Sequence, residues 1–392
     1  MVPFVGAWAV DRSFSYLVPE ELRGRVKAGS LVRVPLGRRR VRGVVVTLEE
    51  ARSTRELLPI AALVVEPPIC APPLIDLARF IAARYAVPFA AALERFEPPG
   101  VRVKPAPPEP LVARPSSGAL AGYSGAARLL GALERGQAGV WCLRTLLGED
   151  HGALVRELVA AAGRGGKGGA LVCVPEVRYG SEVLEALAGD GAERVDAATA
   201  DRDRAKAWLR LAAGHGLGTG GRTTVLAPSP RLSLIVLDDE WHMSYRSDRS
   251  PRYDARRVAV ERARLQGAVA VLLGATPSVE AGHAAAHGPW GLVEPDRAAE
   301  RAARPIVEVV ATPSDRALAP ELHQRMRDAL RSGGRIALLV PHGGFARSLW
   351  CAACRRSLRC PRCEAGLAYD RARRAVRCPR CRLTEAAPDT CP

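Results

Sequence analysis

No stretch of this sequence approaches the roughly 18–20 consecutive apolar residues that a membrane-spanning helix needs. The N-terminus, M-V-P-F-V-G-A-W-A-V-D-R, has neither a charged leading region nor a cleavage site, so no signal peptide is expected. A membrane protein and a secreted one are both set aside, and a cytoplasmic protein is predicted. Aromatic residues are sparse, at 5% of the chain, and no Ser-His-Asp or Cys-His arrangement suggests a nucleophilic hydrolase. Outside one region cysteine is scarce too. Cys70, Cys142 and Cys173 stand alone in apolar settings and read as core residues, whereas seven of the ten cysteines lie between Cys351 and Cys391. Six of those seven form C-x-x-C pairs, which points to metal binding in a reducing compartment rather than to disulfides.

Acidic charge is also in short supply. With 57 Lys and Arg against 41 Asp and Glu, the net charge is +16, and arginine far outnumbers lysine. That balance favours a polyanionic partner, most often nucleic acid, although an Arg- and Ala-rich composition is equally what a GC-rich genome encodes. At 392 residues the chain has length for two or three domains.

Residues 1–103 read as a β-rich domain. Ser13–Val18 and Ser30–Val34 alternate polar with apolar residues, Arg42–Leu48 is apolar and β-branched, and Leu74–Tyr85 has helical spacing. Arg38, Arg39, Arg40 and Arg42 crowd one loop, where they are either a phosphate-binding cluster or a solvated hairpin tip. Phe14 and Tyr16 are either a stacking surface for a terminal base or core. Residues 104–118 are Pro-rich and predict a linker. From 119 to 345 strands alternate with helices. Gly139–Leu147, Ala170–Pro175, Thr223–Ala227, Leu232–Leu237, Ala268–Leu273 and Ile336–Val340 are expected as strands. His151–Ala162, Tyr179–Ala188, Arg202–Ala213, Asp254–Gln266 and Pro320–Arg331 are expected as helices. The pattern predicts an α/β doubly wound sheet. Residues 346–392 form a cysteine-rich module.

Leu232–Leu237 ends in Asp238, Asp239 and Glu240, as a buried parallel strand does when it delivers carboxylates to the sheet edge. Ala268–Leu273 is a second buried run, ending in Gly274-Ala275-Thr276. The pair resembles motifs II and III of superfamily-2 helicases. More narrowly, D-D-E-W-H-M-S-Y-R-S-D-R-S-P-R-Y-D followed by G-A-T-P-S-V-E resembles the PriA family of replication-restart proteins. That family usually has D-E-E-H and S-A-T-P-S at these boxes. R-S-F-S-Y-L-V-P-E-E-L and G-S-L-V-R-V-P-L-G-R-R-R-V-R-G-V-V-V resemble its N-terminal domain, which captures the 3′ end of the leading strand. The family has an aspartate between the two aromatics, and Ser15 stands there here, which puts 3′-end recognition in doubt while leaving DNA binding in place. Family members carry a winged-helix domain after the linker, and no room for one is seen here.

The family's ATPase requires G-x-x-x-x-G-K-[ST] between first strand and first helix. Here that place reads Gly148-Glu149-Asp150-His151, with two acids that suit a helix cap and would repel a triphosphate. Gly163–Gly169 and Gly216–Thr223 are glycine-rich but lead into strands. Asp238, Asp239 and Glu240 are therefore taken as a degenerate nucleotide site, ATP is not expected as a cofactor, and the lobe is expected to be a scaffold without ATP turnover. His242 is taken as a packed or exposed histidine.

Cys360, Cys363, Cys378 and Cys381 have the spacing of one closed tetrahedral Zn²⁺ site. The family resemblance implies nested pairs, placing Cys351, Cys354 and Cys391 on a second Zn²⁺ whose last ligand would lie beyond Pro392. Two zinc ions are thus expected in the intact protein, and the chain is expected to be truncated within the family's second helicase lobe. The resemblance implies a nucleoid-associated protein that binds stalled or abandoned forks and single-stranded DNA. It also implies work with single-stranded DNA-binding protein and with primosome and helicase-loading proteins. Two alternatives stay open: an active DNA-dependent ATPase and 3′–5′ helicase with degenerate motifs, and a zinc-ribbon scaffold for protein or RNA.

Overall fold

The computed structural model describes residues 1–5, 8, 11–50, 57–100, 103–104, 107–112, 114–166, 168–177, 181–312, 318–339, 346 and 348–390. The chain divides into two compact units, Met1–Pro305 and Ile306–Pro392.

The first unit opens with a four-stranded antiparallel sheet. Its strands are β1 (Val2–Pro3), β2 (Leu31–Leu36), β3 (Arg39–Val44) and β4 (Ala62–Leu63), in the order β1-β3-β2-β4. Leu36 pairs with Arg39 across a two-residue turn, and Gly37 takes the left-handed φ of 58° that such a hairpin needs. The expected strand at Ser13–Val18 is irregular chain with one isolated bridge, Leu17 to Pro59, outside the sheet. Alternation is present there, and Tyr16 packs inward with its hydroxyl donating to Pro35 O at 2.8 Å, but the segment's backbone forms no ladder. Helices α1 (Pro72–Tyr85) and α2 (Phe89–Leu93) follow. Proline at the start of α1 suits a position whose N–H has no helical partner, and Leu74, Ile75, Leu77, Ala78 and Ile81 make its buried face.

The larger sheet contains β5 (Tyr123–Ser124), β6 (Gly139–Arg144), β7 (Gly169–Cys173), β8 (Glu193–Arg194), β9 (Leu217–Gly220), β10 (Leu232–Leu237), β11 (Val269–Gly274) and β12 (Gly291–Pro295). The order is β5-β12-β6-β11-β10-β7-β9-β8, parallel except for the β5–β12 pair. Helices α3 (Ala126–Arg135), α4 (His151–Arg164), α5 (Glu182–Ala188), α6 (Asp201–Ala212), α7 (Ala255–Gln266), α8 (Val279–His287) and α9 (Arg297–Ala303) lie between and after these strands. Tyr179 and Gly180, the expected start of α5, lie outside the described residues. Thr223–Ala227, expected as a strand, is a 3-10 turn over Arg222–Leu226, and the strand is the preceding L-G-T-G of β9. A β-carbon at Gly218 would come within 2.9 Å of side-chain methyls of Leu171 and Leu211, so glycine lets these two leucines of β7 and α6 pack closely on the strand.

The small N-terminal sheet and the large one share a core. Leu31, Ile69, Leu74 and Phe96 belong to the same buried cluster as Trp208, Ile235, Val258 and Ala270. Trp208 Nε1 donates to Phe96 O at 2.9 Å, and Asp254 N donates to Tyr85 Oη at 3.0 Å. Helix α1 packs on α7 across this junction.

Residues 107–112 and 114–118 are strapped onto the lobe rather than hanging free. Gly216 N donates to Glu109 O, Arg210 reaches Pro107 O and Glu109, and Arg164 reaches Arg114 O. Prolines remove donors and leave carbonyls open, and arginines of the lobe take up those carbonyls. The anchor is Glu157 of α4, whose fully buried carboxylate accepts from Ser116 Oγ (2.6 Å), Ser117 N and Oγ (2.5 Å each) and Gly118 N (3.1 Å). Burial pushes this carboxyl up, but the serine donors and Arg164 outweigh it and hold it below the usual range.

The second unit holds α10 (Pro320–Arg331) and a three-stranded antiparallel sheet of β13 (Ala368–Asp370), β14 (Ala375–Arg377) and β15 (Thr384–Ala386). Ile336–Leu339, expected as a strand, has no ladder, because no described strand lies beside it to pair with; Val340 is outside the described residues. Among the described residues, no helix is long and apolar enough to cross a membrane.

Candidate functional site

Three places carry the sequence's chemical signals. On the β2–β3 hairpin, Arg38 sits in the turn, while Arg39, Arg40 and Arg42 lie on β3 itself. They are thus on a strand and not crowded in one loop. Alternation sends Arg40 and Arg42 to one face and Arg39 to the other. Arg38, Arg39 and Arg40 are exposed and make no ion pair with any described residue, whereas Arg42 pairs with Glu97 at 2.6 Å. Phe14 is half-buried beneath the Arg12 guanidinium, 5.1 Å from the ring centre, and its carbonyl accepts from the chain's N-terminal ammonium at 2.8 Å. Tyr16 packs on the small core that includes Val32 and Val34. Ser15 between them is exposed.

The second place is the carboxyl edge of the large sheet. Strands β6 and β10 are parallel and separated by β11, so their carboxyl ends open on the same edge. The loop after β6 keeps its donors for itself. Glu149 accepts from Leu146 N at 3.2 Å and from Tyr123 Oη, and Asp150 caps α4 by accepting from Ala153 N at 3.2 Å. His151, the first residue of α4, reaches Asp238 with Nδ1 (2.6 Å to Oδ1) and Thr145 Oγ1 with Nε2 (3.0 Å). Burial pulls the imidazole pKa down, but Asp238 more than offsets it and the pKa is raised overall. Asp239 is raised by burial first and by its neighbour Asp238 second. Glu240 is buried, accepts from Ser278 N at 2.5 Å, and lies 3.7 Å from Arg256. It thereby ties β10 to the start of α8. His242 turns its Nδ1 to Ser244 Oγ at 2.9 Å. Neither His151 nor Glu157 was identified from sequence as a site residue. The histidine was visible as the first helical residue, but nothing local announces an Asp238 partner 87 positions away.

The third place is the cysteine ladder. Cys360 Sγ and Cys381 Sγ are 3.5 Å apart, Cys363 Sγ and Cys378 Sγ are 3.4 Å apart, and the four can hold one metal ion. Each C-x-x-C closes in the same turn. Glu364 N donates to Cys360 O and Arg382 N to Cys378 O, and the residue after the second cysteine takes a left-handed φ of 58° or 62°. Cys351–Cys354 repeats that turn, with Arg355 N on Cys351 O and φ of 58°. Cys378 is lowered to about 6, first by the Cys381 backbone N–H. The pairwise spacing fits a closed tetrahedral Zn²⁺ site, in which the four sulfurs would be all the ligands. Cys391 lies outside the described residues.

Residues 2–98 match the 3′DNA-binding domain of PriA. The chain is 30% identical over 393 residues to the probable replication restart protein PriA of Mycobacterium leprae, covering 93% of this chain and 59% of that protein. The Mycobacterium tuberculosis (strain CDC 1551 / Oshkosh) protein of the same name is 29% identical over 385 residues, covering 93% and 58%. The replication restart protein PriA of Treponema pallidum is 30% identical over 224 residues, covering 56% of this chain and 34% of its own length. This chain therefore spans about three-fifths or less of these relatives. A match to the PriA 3′DNA-binding domain at the N-terminus and a mycobacterial match along 93% of its length make this chain similar to replication restart protein PriA.

Proposed function

We propose that this chain acts in replication restart, binding stalled or abandoned DNA forks and helping to reload the replication machinery without unwinding DNA by ATP hydrolysis. The carrying observation is the self-filled edge of the large sheet. The helix N-terminus that would cradle phosphates is capped by Asp150, the loop N–H of Leu146 is held by Glu149, and Asp238 is taken by His151. A triphosphate there would meet two carboxylates in place of a lysine and a row of free N–H groups. The sheet's doubly wound order supports a helicase-like lobe serving as scaffold. The 3′DNA-binding domain and the exposed Arg38, Arg39 and Arg40 support contact with the DNA backbone. The zinc module, rich in arginine, supports a further contact with DNA, single-stranded DNA-binding protein or helicase-loading proteins.

The test is fork binding and ATP hydrolysis by the purified chain in one buffer. Tight fork binding with hydrolysis at background is expected. DNA-stimulated hydrolysis would overturn the scaffold role, and fork binding no tighter than to duplex of equal length would favour a zinc-ribbon scaffold for protein or RNA.

A further inference from the structure

Asp238 and Asp239 are adjacent in sequence, and neighbours in an extended chain point to opposite sides. Here they converge. Asp239 takes a left-handed φ of 43°, which re-aims its side chain toward the Asp238 side. His151 enters from the first residue of α4, and one ligand atom from each of the three lies within 4.8 Å of the others. Two carboxylates and an imidazole thus share a space small enough for one ion. No described lysine or arginine pairs with either carboxylate, since the nearby Arg256 is committed to Asp254 at 2.7 Å and leans on Glu240. The set is sheltered but reachable: the His151 side chain is 15% exposed and that of Asp238 10%. Gly274 adds room, because a β-carbon there would stand 3.4 Å from Asp239 Oδ1 and any longer side chain would crowd the carboxylate.

The ligand chemistry departs from a nucleotide-bound Mg²⁺. Mg²⁺ takes one or two carboxylates and completes its shell with water and substrate phosphates. An imidazole beside two carboxylates suits Mn²⁺, Co²⁺, Ni²⁺ or Zn²⁺ instead. We propose that His151, Asp238 and Asp239 bind one first-row divalent transition ion directly, without nucleotide. This rests on the assignment of the sheet edge as unable to take MgATP. Nδ1 of His151 gives its lone pair to the ion in place of its hydrogen bond to Asp238, and Nε2–H donates to Thr145 Oγ1, which orients the ring. Binding displaces the Nδ1 proton where that nitrogen carries one. The ion would join the loop after β6 to the end of β10.

The experiment uses the full chain with its cysteine module loaded with zinc, titrated with Mn²⁺ and followed by loss of the free-ion EPR signal. Thiolate sites compete poorly for Mn²⁺. One Mn²⁺ per chain is expected without nucleotide, with imidazole nitrogen modulation in the electron spin echo. His151→Gln should abolish that modulation, and His151→Gln and Asp239→Asn should each weaken binding by at least about tenfold. Absence of saturable Mn²⁺ binding, or nitrogen modulation that survives in His151→Gln, overturns the site and leaves the proposed function standing. Mn²⁺ binding that appears only with ATP overturns both.

Discussion

Replacing Glu157 by Gln tests whether the Pro-rich segment is part of the folded lobe. The substitution preserves volume but leaves one acceptor oxygen where two now receive Ser116 Oγ, Ser117 N, Ser117 Oγ and Gly118 N. The hydroxyls can turn to other partners, but the two backbone N–H groups cannot. A hydrogen bond to a charged group is worth about 1.5–3 kcal/mol, and a buried donor left without a partner costs about 1–3 kcal/mol. These terms do not add fully, so the loss expected for Glu157→Gln is about 2–3 kcal/mol, and for Glu157→Ala about 3–4 kcal/mol. For a unit of this size each kcal/mol lowers Tm by roughly 2 °C, giving about 5 °C for Glu157→Gln. Limited proteolysis should cut sooner between Pro107 and Gly118. The folded carboxyl is held below its unfolded value, so its contribution is present above the unfolded pKa, near ~4.3, and is lost as pH falls through the lower folded value. The difference between wild type and Glu157→Gln should therefore shrink below about pH 4. A Glu157→Gln chain that melts within about 1 °C of wild type, with unchanged cleavage of the segment, would refute the anchoring argument.

Cys363→Ser should release zinc and unfold the β13–β15 module, since a structural site of this type contributes roughly 10 kcal/mol or more to folding. A colorimetric zinc assay beside circular dichroism checks this, and full zinc retention would contradict it. Replacing Arg38, Arg39 and Arg40 together by Gln should weaken fork binding about equally across sequences. The slope of log affinity against log salt should fall by about 2–3; an unchanged slope would remove the hairpin from the DNA interface.

Elements whose signal is local were legible. Leu232–Leu237 is a strand over the expected residues and Pro320–Arg331 a helix over the expected residues, because a buried apolar run and a 3.6-residue period each report their own environment. Asp150 as a helix cap could likewise be read from its place before the helix. Failures came where tertiary packing overrode local preference. Val225, Leu226 and Ala227 are apolar like strand residues, yet they are buried as a turn, while the strand beside them is the glycine-rich L-G-T-G, packed closely by Leu171 and Leu211. At the sheet edge, the sequence shows two acids, Glu149 and Asp150, where a phosphate loop would have a lysine and a hydroxyl. The His151–Asp238 pairing was not readable there, because it depends on two strand ends meeting across the fold.

The core shared by the N-terminal sheet and the α/β lobe has a mechanical consequence. Helix α1 lies against α7, Trp208 is bonded to Phe96, and Tyr85 is bonded to the start of α7, so among the described residues the joint is packed and hydrogen-bonded. If the β2–β3 hairpin holds DNA as proposed, a force on it would reach α7 and the central strands through this shared core. The hairpin and the sheet edge are thus linked through one continuous apolar core rather than by the Pro-rich segment alone.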